Sequence, residues 1–121
     1  MNKKIFNYLE LAAQIALSKD DKRNFLIGSV GIRGDGTIVS AFNSPTPLPD
    51  LRIHSEYRLA SKLDYGATVY VARVGSGNSN HKTNKFSMAK PCPDCMRVLI
   101  SKRVKKIYYT INDKEYGIIF P

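Results

Sequence analysis

Residues 67–74 read ATVYVARV, and this stretch constrains the fold of the 121-residue chain more than any other. It is rich in β-branched and aromatic residues, and only Thr68 and Arg73 are polar. An apolar run of this kind predicts a strand that is covered on both faces, not one that alternates between core and solvent. Such strands are typical of α/β proteins, in which helices lie on both faces of a sheet.

The rest of the chain alternates between helical and strand patterns. Helical spacing of apolar residues predicts helices at 4–18, 54–63 and 92–102. In the second of these, Tyr57 is among the residues expected to point inward. Strand patterns predict further strands at 25–33, 37–42, 105–111 and 116–120. The GDG sequence at 34–36 predicts a hairpin turn between the first two strands. The element order α-β-β-α-β-α-β-β predicts a single α/β domain over residues 1–121.

Residues 75–90, with the sequence GSGNSNHKTNKFSMAK, are polar and basic and predict a long loop. Lys85, Phe86 and Lys90 suggest a path along which a phosphate or a nucleic-acid strand approaches, with one aromatic ring available for stacking. A solvated segment without a ligand is the alternative, and the sequence favours neither.

The formal net charge of +9 at pH 7 is high for a chain of this length. It favours an acidic partner, either a nucleotide phosphate or a nucleic acid, over a charge that serves solubility alone. No apolar run reaches membrane-spanning length, and the N-terminal residues lack a secretory signal pattern. Two cysteines so close together do not suggest a disulfide scaffold, so we expect a cytoplasmic protein with no membrane partner.

Two short motifs stand at predicted helix starts: HSE at 54–56 and PCPDC at 91–95. One imidazole and two thiolates are ligands that zinc accepts in a tetrahedral site, and they leave a fourth position for water. The exposed N–H groups of a first helical turn favour thiolates at Cys92 and Cys95. We predict a Zn²⁺ ion held by His54, Cys92 and Cys95, which lowers the pKa of a water while Glu56 shuttles protons. This arrangement indicates hydrolytic deamination of an aromatic amidine-like carbon.

The Cys-Pro-Asp-Cys sequence also permits a redox dithiol of the glutaredoxin type. Folds of that type carry the dithiol after their first strand, whereas here it follows residue 90. A redox function would also leave the HSE motif without a task. The zinc interpretation is therefore favoured.

Taken together, H-x-E and P-C-x-x-C resemble the signature of the zinc-dependent cytidine deaminase-like superfamily. The resemblance covers most of the chain, because IGSVGIRGDGTIVSAFN at 27–43 is similar to the family's first hairpin, ATVYVARV to its third strand and VKKIYYTI at 104–111 to its fourth. It implies an α/β fold of the three-layer type, with a central five-stranded mixed sheet and helices packed on its faces.

The resemblance also implies roles for individual residues. Asn43, at the end of the first hairpin, would lie near the substrate sugar, and the backbone around Ser55 and Pro91 would orient the base. The family usually has alanine in the middle of the first motif, where this chain has Ser55.

The resulting hypothesis is a zinc-dependent hydrolase that converts cytosine to uracil. Its substrate is expected to be a phosphorylated nucleoside such as deoxycytidylate, or cytosine in single-stranded nucleic acid, since a base in a duplex is unreachable without extrusion. The alternatives are a tRNA adenosine deaminase-like activity and a catalytically silent, basic nucleic-acid-binding module with the same fold. Members of the superfamily often form dimers or larger oligomers, so the resemblance allows a homo-oligomer.

Overall fold

A mixed β-sheet of six strands forms the centre of the structure. The computed structural model describes residues 3–17, 26–42, 55–74 and 86–121. Its elements are α1 (Lys3–Leu17), β1 (Leu26–Ile32), β2 (Ile38–Phe42), α2 (Ser55–Ala60), β3 (Thr68–Val74), β4 (Phe86–Ser87), α3 (Pro93–Ser101), β5 (Lys106–Thr110) and β6 (Tyr116–Ile119). Five strands lie in the order β2-β1-β3-β5-β6, and β4 pairs with the end of β3.

The stretch that dominates the sequence, β3, is the middle strand of this order. It pairs antiparallel with β1 along its whole length and parallel with β5 over residues 68–71. Most of its side chains are buried, which confirms the prediction of a strand covered on both faces. The remaining pairs, β1 with β2 and β5 with β6, are antiparallel, so the predicted mixed sheet is confirmed.

One face of the sheet is covered by α1. Its buried side chains recur at helical spacing, as the sequence predicts, and pack on alternate residues of β1 and β3 that include Val30 and Tyr70. The helix approaches β1 so closely that a Cβ atom on Gly28 would collide with the backbone of α1 at Ala12. A glycine is therefore required where α1 crosses this strand.

The other face is covered by α2 and α3. Leu59 from α2 and Leu99 from α3 are fully buried in one apolar cluster with Val69, Val71 and Ile107 of the sheet. The three layers are thus α1, the sheet, and the α2–α3 pair. The three-layer α/β prediction is confirmed.

The middle helix is shorter than its sequence pattern suggests. Hydrogen bonds from Lys62 N to Leu59 O and from Leu63 N to Ala60 O tighten the chain after residue 60, which ends the α-helix but keeps Leu63 buried. Tyr57 is 36% exposed. The expectation that it points inward was wrong, because its helical position faces away from the leucines that contact the sheet.

The predicted 75–90 loop contains a short strand that the sequence does not signal. β4 joins the edge of β3 beyond the point where β5 pairs with it, with Phe86 opposite Val74 and Ser87 opposite Arg73. The place where β4 replaces β5 along the edge of β3 forms a fork in the sheet. Thr110, at the end of β5, connects β3 and β4 at this fork, because its Oγ accepts from Arg73 N at 3.2 Å and donates to Ser87 O at 2.7 Å. Residues 75–85 lie outside the described part of the chain.

The hairpin between β1 and β2 has the predicted turn. Gly36 N donates to Arg33 O at 2.9 Å, and Gly36 has a φ of 87° that suits glycine. Among the described helices none has both the length and the hydropathy needed to cross a membrane.

Candidate active site at two helix N-termini

The first turn of α2 buries a carboxylate. Glu56 is only 5% exposed and accepts a hydrogen bond on Oε1 from the Ser55 hydroxyl, at 2.8 Å. Ser55 is fully buried, and its carbonyl oxygen accepts from the Ser29 hydroxyl of β1 at 3.2 Å. A hydrogen-bonded chain therefore runs from the sheet through Ser55 to Glu56.

The start of α3 places two thiols one helical turn apart. Cys92 is the N-cap residue, with extended backbone angles, and its Sγ accepts from Cys95 N at 3.4 Å. Pro93 follows at the beginning of the helix, where its missing N–H costs nothing. Neither cysteine is in a disulfide, and Cys95 is fully buried whereas Cys92 is partly exposed.

The two helix N-termini meet at Cys95. The backbone N–H of Tyr57, in the first turn of α2, hydrogen-bonds to the Cys95 thiol. Burial raises the pKa of Cys95 well above its ordinary value, and the nearby negative charge of Glu56 raises it further.

The segment before the cysteines is fastened to the sheet. Phe86 N donates to Asp113 Oδ1 at 2.7 Å, and Ala89 N donates to the carbonyl of Thr110 at 2.9 Å. Pro91 is buried directly before Cys92. Because Thr110 ends β5, these bonds bring the start of α3 to the carboxyl end of the parallel β3–β5 pair, the usual position of ligand sites in α/β sheets.

The two described residues of the predicted approach path differ in their surroundings. Lys90 is exposed between buried Ala89 and buried Pro91, next to the cysteines. The Phe86 ring packs against the apolar cluster on the α1 face of the sheet, opposite to the face that carries α2 and α3. The ring therefore contributes to the core in this structure.

Three predicted site residues, His54, Asn43 and Lys85, lie outside the described residues. His54 directly precedes α2, and Asn43 directly follows β2. Among the residues that the structure does describe, no group of three His, Cys, Asp or Glu side chains is arranged to hold a metal ion. The described residues contain two of the three predicted ligands, Cys92 and Cys95, but not His54.

A separate cavity of about 460 Å³ lies between α1, β2 and α2. Its lining includes Arg58 and Lys62, but neither cysteine nor Glu56. Arg58 lies over the Phe42 ring, 5.6 Å from its centroid, and Lys62 Nζ donates to Ser40 O at 2.6 Å. Both cations thus make contacts within the fold, although both side chains are exposed.

Two residues that organise the site, Ser29 and Thr110, were not predicted from the sequence. Ser29 lies within an apolar strand, and the two-residue period of β1 places it on the face that α2 and α3 cover. A lone hydroxyl at a core-facing strand position was a signal that something polar covers it. Thr110 gave no such signal, because its role depends on a short strand that the sequence does not indicate.

Comparison with known proteins identifies the family. The family model described as the cytidine and deoxycytidylate deaminase zinc-binding region matches residues 2–111. The chain belongs to this family. The match spans both motifs, the hairpin and the strands on which the sequence resemblance rests.

Two solved structures are similar to the chain in fold. The cytidine deaminase from Burkholderia pseudomallei aligns with a TM-score of 0.65 and 17% identity, over 99% of this chain and 93% of that one. The cytidine deaminase from Mycobacterium leprae aligns with a TM-score of 0.61 and 17% identity, over 97% of this chain and 94% of that one. At this identity the likeness establishes the fold, and it confirms the predicted cytidine deaminase-like architecture. No curated protein matches the chain in sequence.

The donor chemistry of the site fits the metal in the family's description. Two sulfur atoms one turn apart at a helix N-terminus are soft ligands suited to zinc. A buried carboxylate close to a buried thiol is an environment that a cation stabilises. With His54 as the residue before α2, the chain has the ligand types of a catalytic zinc site.

Proposed function

We propose that the chain is a zinc-dependent hydrolase that deaminates cytosine to uracil, with release of ammonia. The observation that supports this most directly is the approach of buried Glu56 to Cys95, in a chain that belongs to the cytidine and deoxycytidylate deaminase family. A carboxylate near one thiol of a Cys-x-x-Cys pair has the composition required for proton transfer next to a metal ion.

In this proposal His54, Cys92 and Cys95 hold the ion. When bound, zinc activates water for attack near neutral pH. Glu56 would take one proton from the water and deliver it to the ring nitrogen, and then take the proton of the hydroxyl formed on the carbon and deliver it to the amine, which leaves as ammonia, so that one carboxylate serves as base and acid in turn. The backbone at Ser55 and Pro91 orients the base, and Asn43 contacts the sugar.

The proposed substrate carries a phosphate. The net charge of +9 favours a deoxycytidylate-like nucleotide or a single-stranded nucleic acid over a neutral nucleoside. Lys90 is exposed two residues before Cys92 and is suited to attract a phosphate there, with Lys85 earlier in the same segment. We further propose a single domain over residues 1–121 that acts as a homo-oligomer in the reducing cytoplasm, where both thiols stay reduced.

A substrate panel tests the activity. Purified, zinc-loaded protein is assayed for ammonia release from cytidine, deoxycytidine, their monophosphates, a cytosine-containing single-stranded oligonucleotide and tRNA. We expect turnover of a monophosphate or of the oligonucleotide, with a lower KM than for the matching nucleoside. Equal KM values with and without phosphate would contradict the phosphate-bearing substrate, and failure of every cytosine substrate would contradict the deaminase.

The same panel separates the two alternatives. Turnover of adenosine in tRNA alone would indicate an adenosine deaminase. Tight, salt-dependent binding of the oligonucleotide without turnover would indicate a silent binding module. Metal content gives an independent check, because we expect about one zinc per chain from three protein ligands and loss of that zinc in Cys92→Ser.

A further inference from the structure

Ser55 stands where the family usually has alanine, and its hydroxyl has a defined contact. It donates to Glu56 Oε1 at 2.8 Å, although the two residues are adjacent in sequence and share the first turn of α2. Serine near a helix start commonly hydrogen-bonds to the backbone N–H groups of the first turn. In this chain the hydroxyl hydrogen-bonds to the carboxylate.

The donor is itself held in place. Ser55 is fully buried, and its carbonyl oxygen is bonded to the Ser29 hydroxyl, which belongs to the central sheet. The Ser55 side chain is short, so fixing its backbone fixes the position of Oγ within a small volume. The Ser29 bond therefore anchors the backbone of the donor residue to the sheet, while the contact with Glu56 is made by the Ser55 hydroxyl itself.

We infer that Ser55 is a positioning residue that hydrogen-bonds to Glu56 Oε1 and leaves Oε2 as the oxygen that carries the proton. This assignment rests on the proposed function for the role of Glu56. A glutamate side chain has three rotatable bonds, and an alanine at position 55 would leave the carboxylate without this bond. The hydroxyl reduces that freedom before substrate binds, which is preorganisation of a proton-transfer group.

The inference has a structural readout that needs no substrate. The chain contains only three glutamates, Glu10, Glu56 and Glu115, so protein labelled with ¹³C at the glutamate carboxyl gives three resonances. Glu56→Gln assigns the buried one. Ser55→Ala is expected to displace or broaden the Glu56 resonance and to leave Glu10 and Glu115 unchanged.

Ser29→Ala is the matched control. It removes one buried hydroxyl from the same hydrogen-bonded chain but does not remove the contact to Glu56. We expect it to leave the Glu56 resonance nearer to its original position than Ser55→Ala does. Equal displacement in both variants would assign the effect to packing of the first turn and would overturn the inference, as would an unchanged resonance in Ser55→Ala.

Kinetics give the second readout on the best substrate of the panel. Loss of a hydrogen bond to a charged group that acts in proton transfer is expected to lower kcat by about tenfold and to change KM by less than about twofold. Zinc content should not change, because Ser55 holds no metal. A KM effect larger than the kcat effect, or a loss of zinc, would overturn the positioning role.

The two readouts separate failure of this inference from failure of the proposed function. If wild-type protein turns over no substrate but only Ser55→Ala displaces the Glu56 resonance, the positioning contact holds and the deaminase proposal fails. If wild-type protein is active and Ser55→Ala changes neither the resonance nor kcat, the deaminase proposal holds and the inference fails.

Discussion

The two faces of the sheet bury different chemistry. The face under α1 is filled with apolar side chains and with tyrosine rings that stack in sequence: Tyr8 on Tyr70 at 4.9 Å and Tyr70 on Tyr108 at 5.0 Å between ring centroids. The face under α2 and α3 buries the hydroxyls of Ser29 and Ser55, the carboxylate of Glu56 and the thiol of Cys95 beside its apolar cluster.

Both faces contribute apolar burial to stability, but the face under α2 and α3 also buries a carboxylate and a thiol. Apolar burial under α1 stabilises the fold without restricting what the other face contains. Polar groups under α2 and α3 are costly to bury unless they are hydrogen-bonded, and the Ser29–Ser55–Glu56 chain supplies those bonds. If the two faces are specialised in this way, substitutions on them will affect different measured quantities.

The largest expected effect is that of Glu56→Gln on catalysis. We expect kcat to fall by about 10²- to 10⁴-fold, the usual contribution of a general acid–base group. In metal-free protein the melting temperature should stay the same or rise, because a buried carboxyl group beside a thiol is replaced by a neutral amide of similar size. Thermal unfolding and ammonia release measure the two effects, and the exposed Glu115→Gln serves as control. A clear fall in melting temperature would show that Glu56 supports the fold.

Next in size is the effect of shortening a leucine on each face. Leu9 and Leu59 are both fully buried, one in α1 and one in α2, so each change to alanine should cost about 2–5 kcal/mol in the free energy of unfolding. Leu9→Ala is expected to keep kcat per folded molecule, whereas Leu59→Ala should lower it, because Leu59 lies one turn after Glu56. Urea denaturation and kinetic assays on the same variants test this. Equal kcat values in the two variants would contradict the proposed difference between the two faces.

A smaller effect on stability is expected at the fork where β4 replaces β5 along the edge of β3. Thr110→Val keeps the side-chain shape but removes the bonds to Arg73 N and Ser87 O, which should cost about 1–3 kcal/mol. Because these bonds fasten the segment that leads to Cys92, zinc affinity should fall as well. Thr68→Val, at the opposite end of β3, is the control and should leave zinc affinity unchanged; a metal titration distinguishes them.

The smallest effect is an alkaline dependence of stability confined to the α1 face. Burial raises the pKa of Tyr70 to about 12, with Tyr108 and Tyr8 adding to the rise. The folded state therefore keeps the phenol proton that the unfolded chain loses near pH 10, so stability decreases as pH rises from about 10 to 12. Tyr70→Phe should reduce this decrease, and the exposed Tyr65→Phe should not. Melting curves between pH 9 and about 12 measure the difference.

Periodicity and motif spacing predicted most of what was needed. The apolar run of β3 indicated a doubly covered strand, and the helical spacing in α1 identified its buried face, because both patterns follow directly from geometry. The cysteines were correctly expected at a helix start, since a proline in the first turn marks one.

The remaining features depend on contacts between distant residues. Neither the Tyr57 N–H bond to Cys95 nor the Ser29 bond to Ser55 can be derived from local sequence, because each requires knowing which elements adjoin. Tyr57 was assigned inward because its spacing fits the helix, but the short α2 presents only its leucine side to the sheet. β4 was missed because two residues are too few to show a period.

The fork at Thr110 has a consequence for how such a protein can diversify. Phe86 is fastened to Asp113, Ser87 to Thr110 and Ala89 to Thr110, so the six residues before Cys92 take their position from the far end of the sheet. These bonds, together with the contact of Tyr57 with Cys95, hold the cysteines in place. We therefore expect exchanges within residues 75–85 to leave Cys92 and Cys95 at the start of α3, so that a change of selectivity made there need not disturb the chemistry.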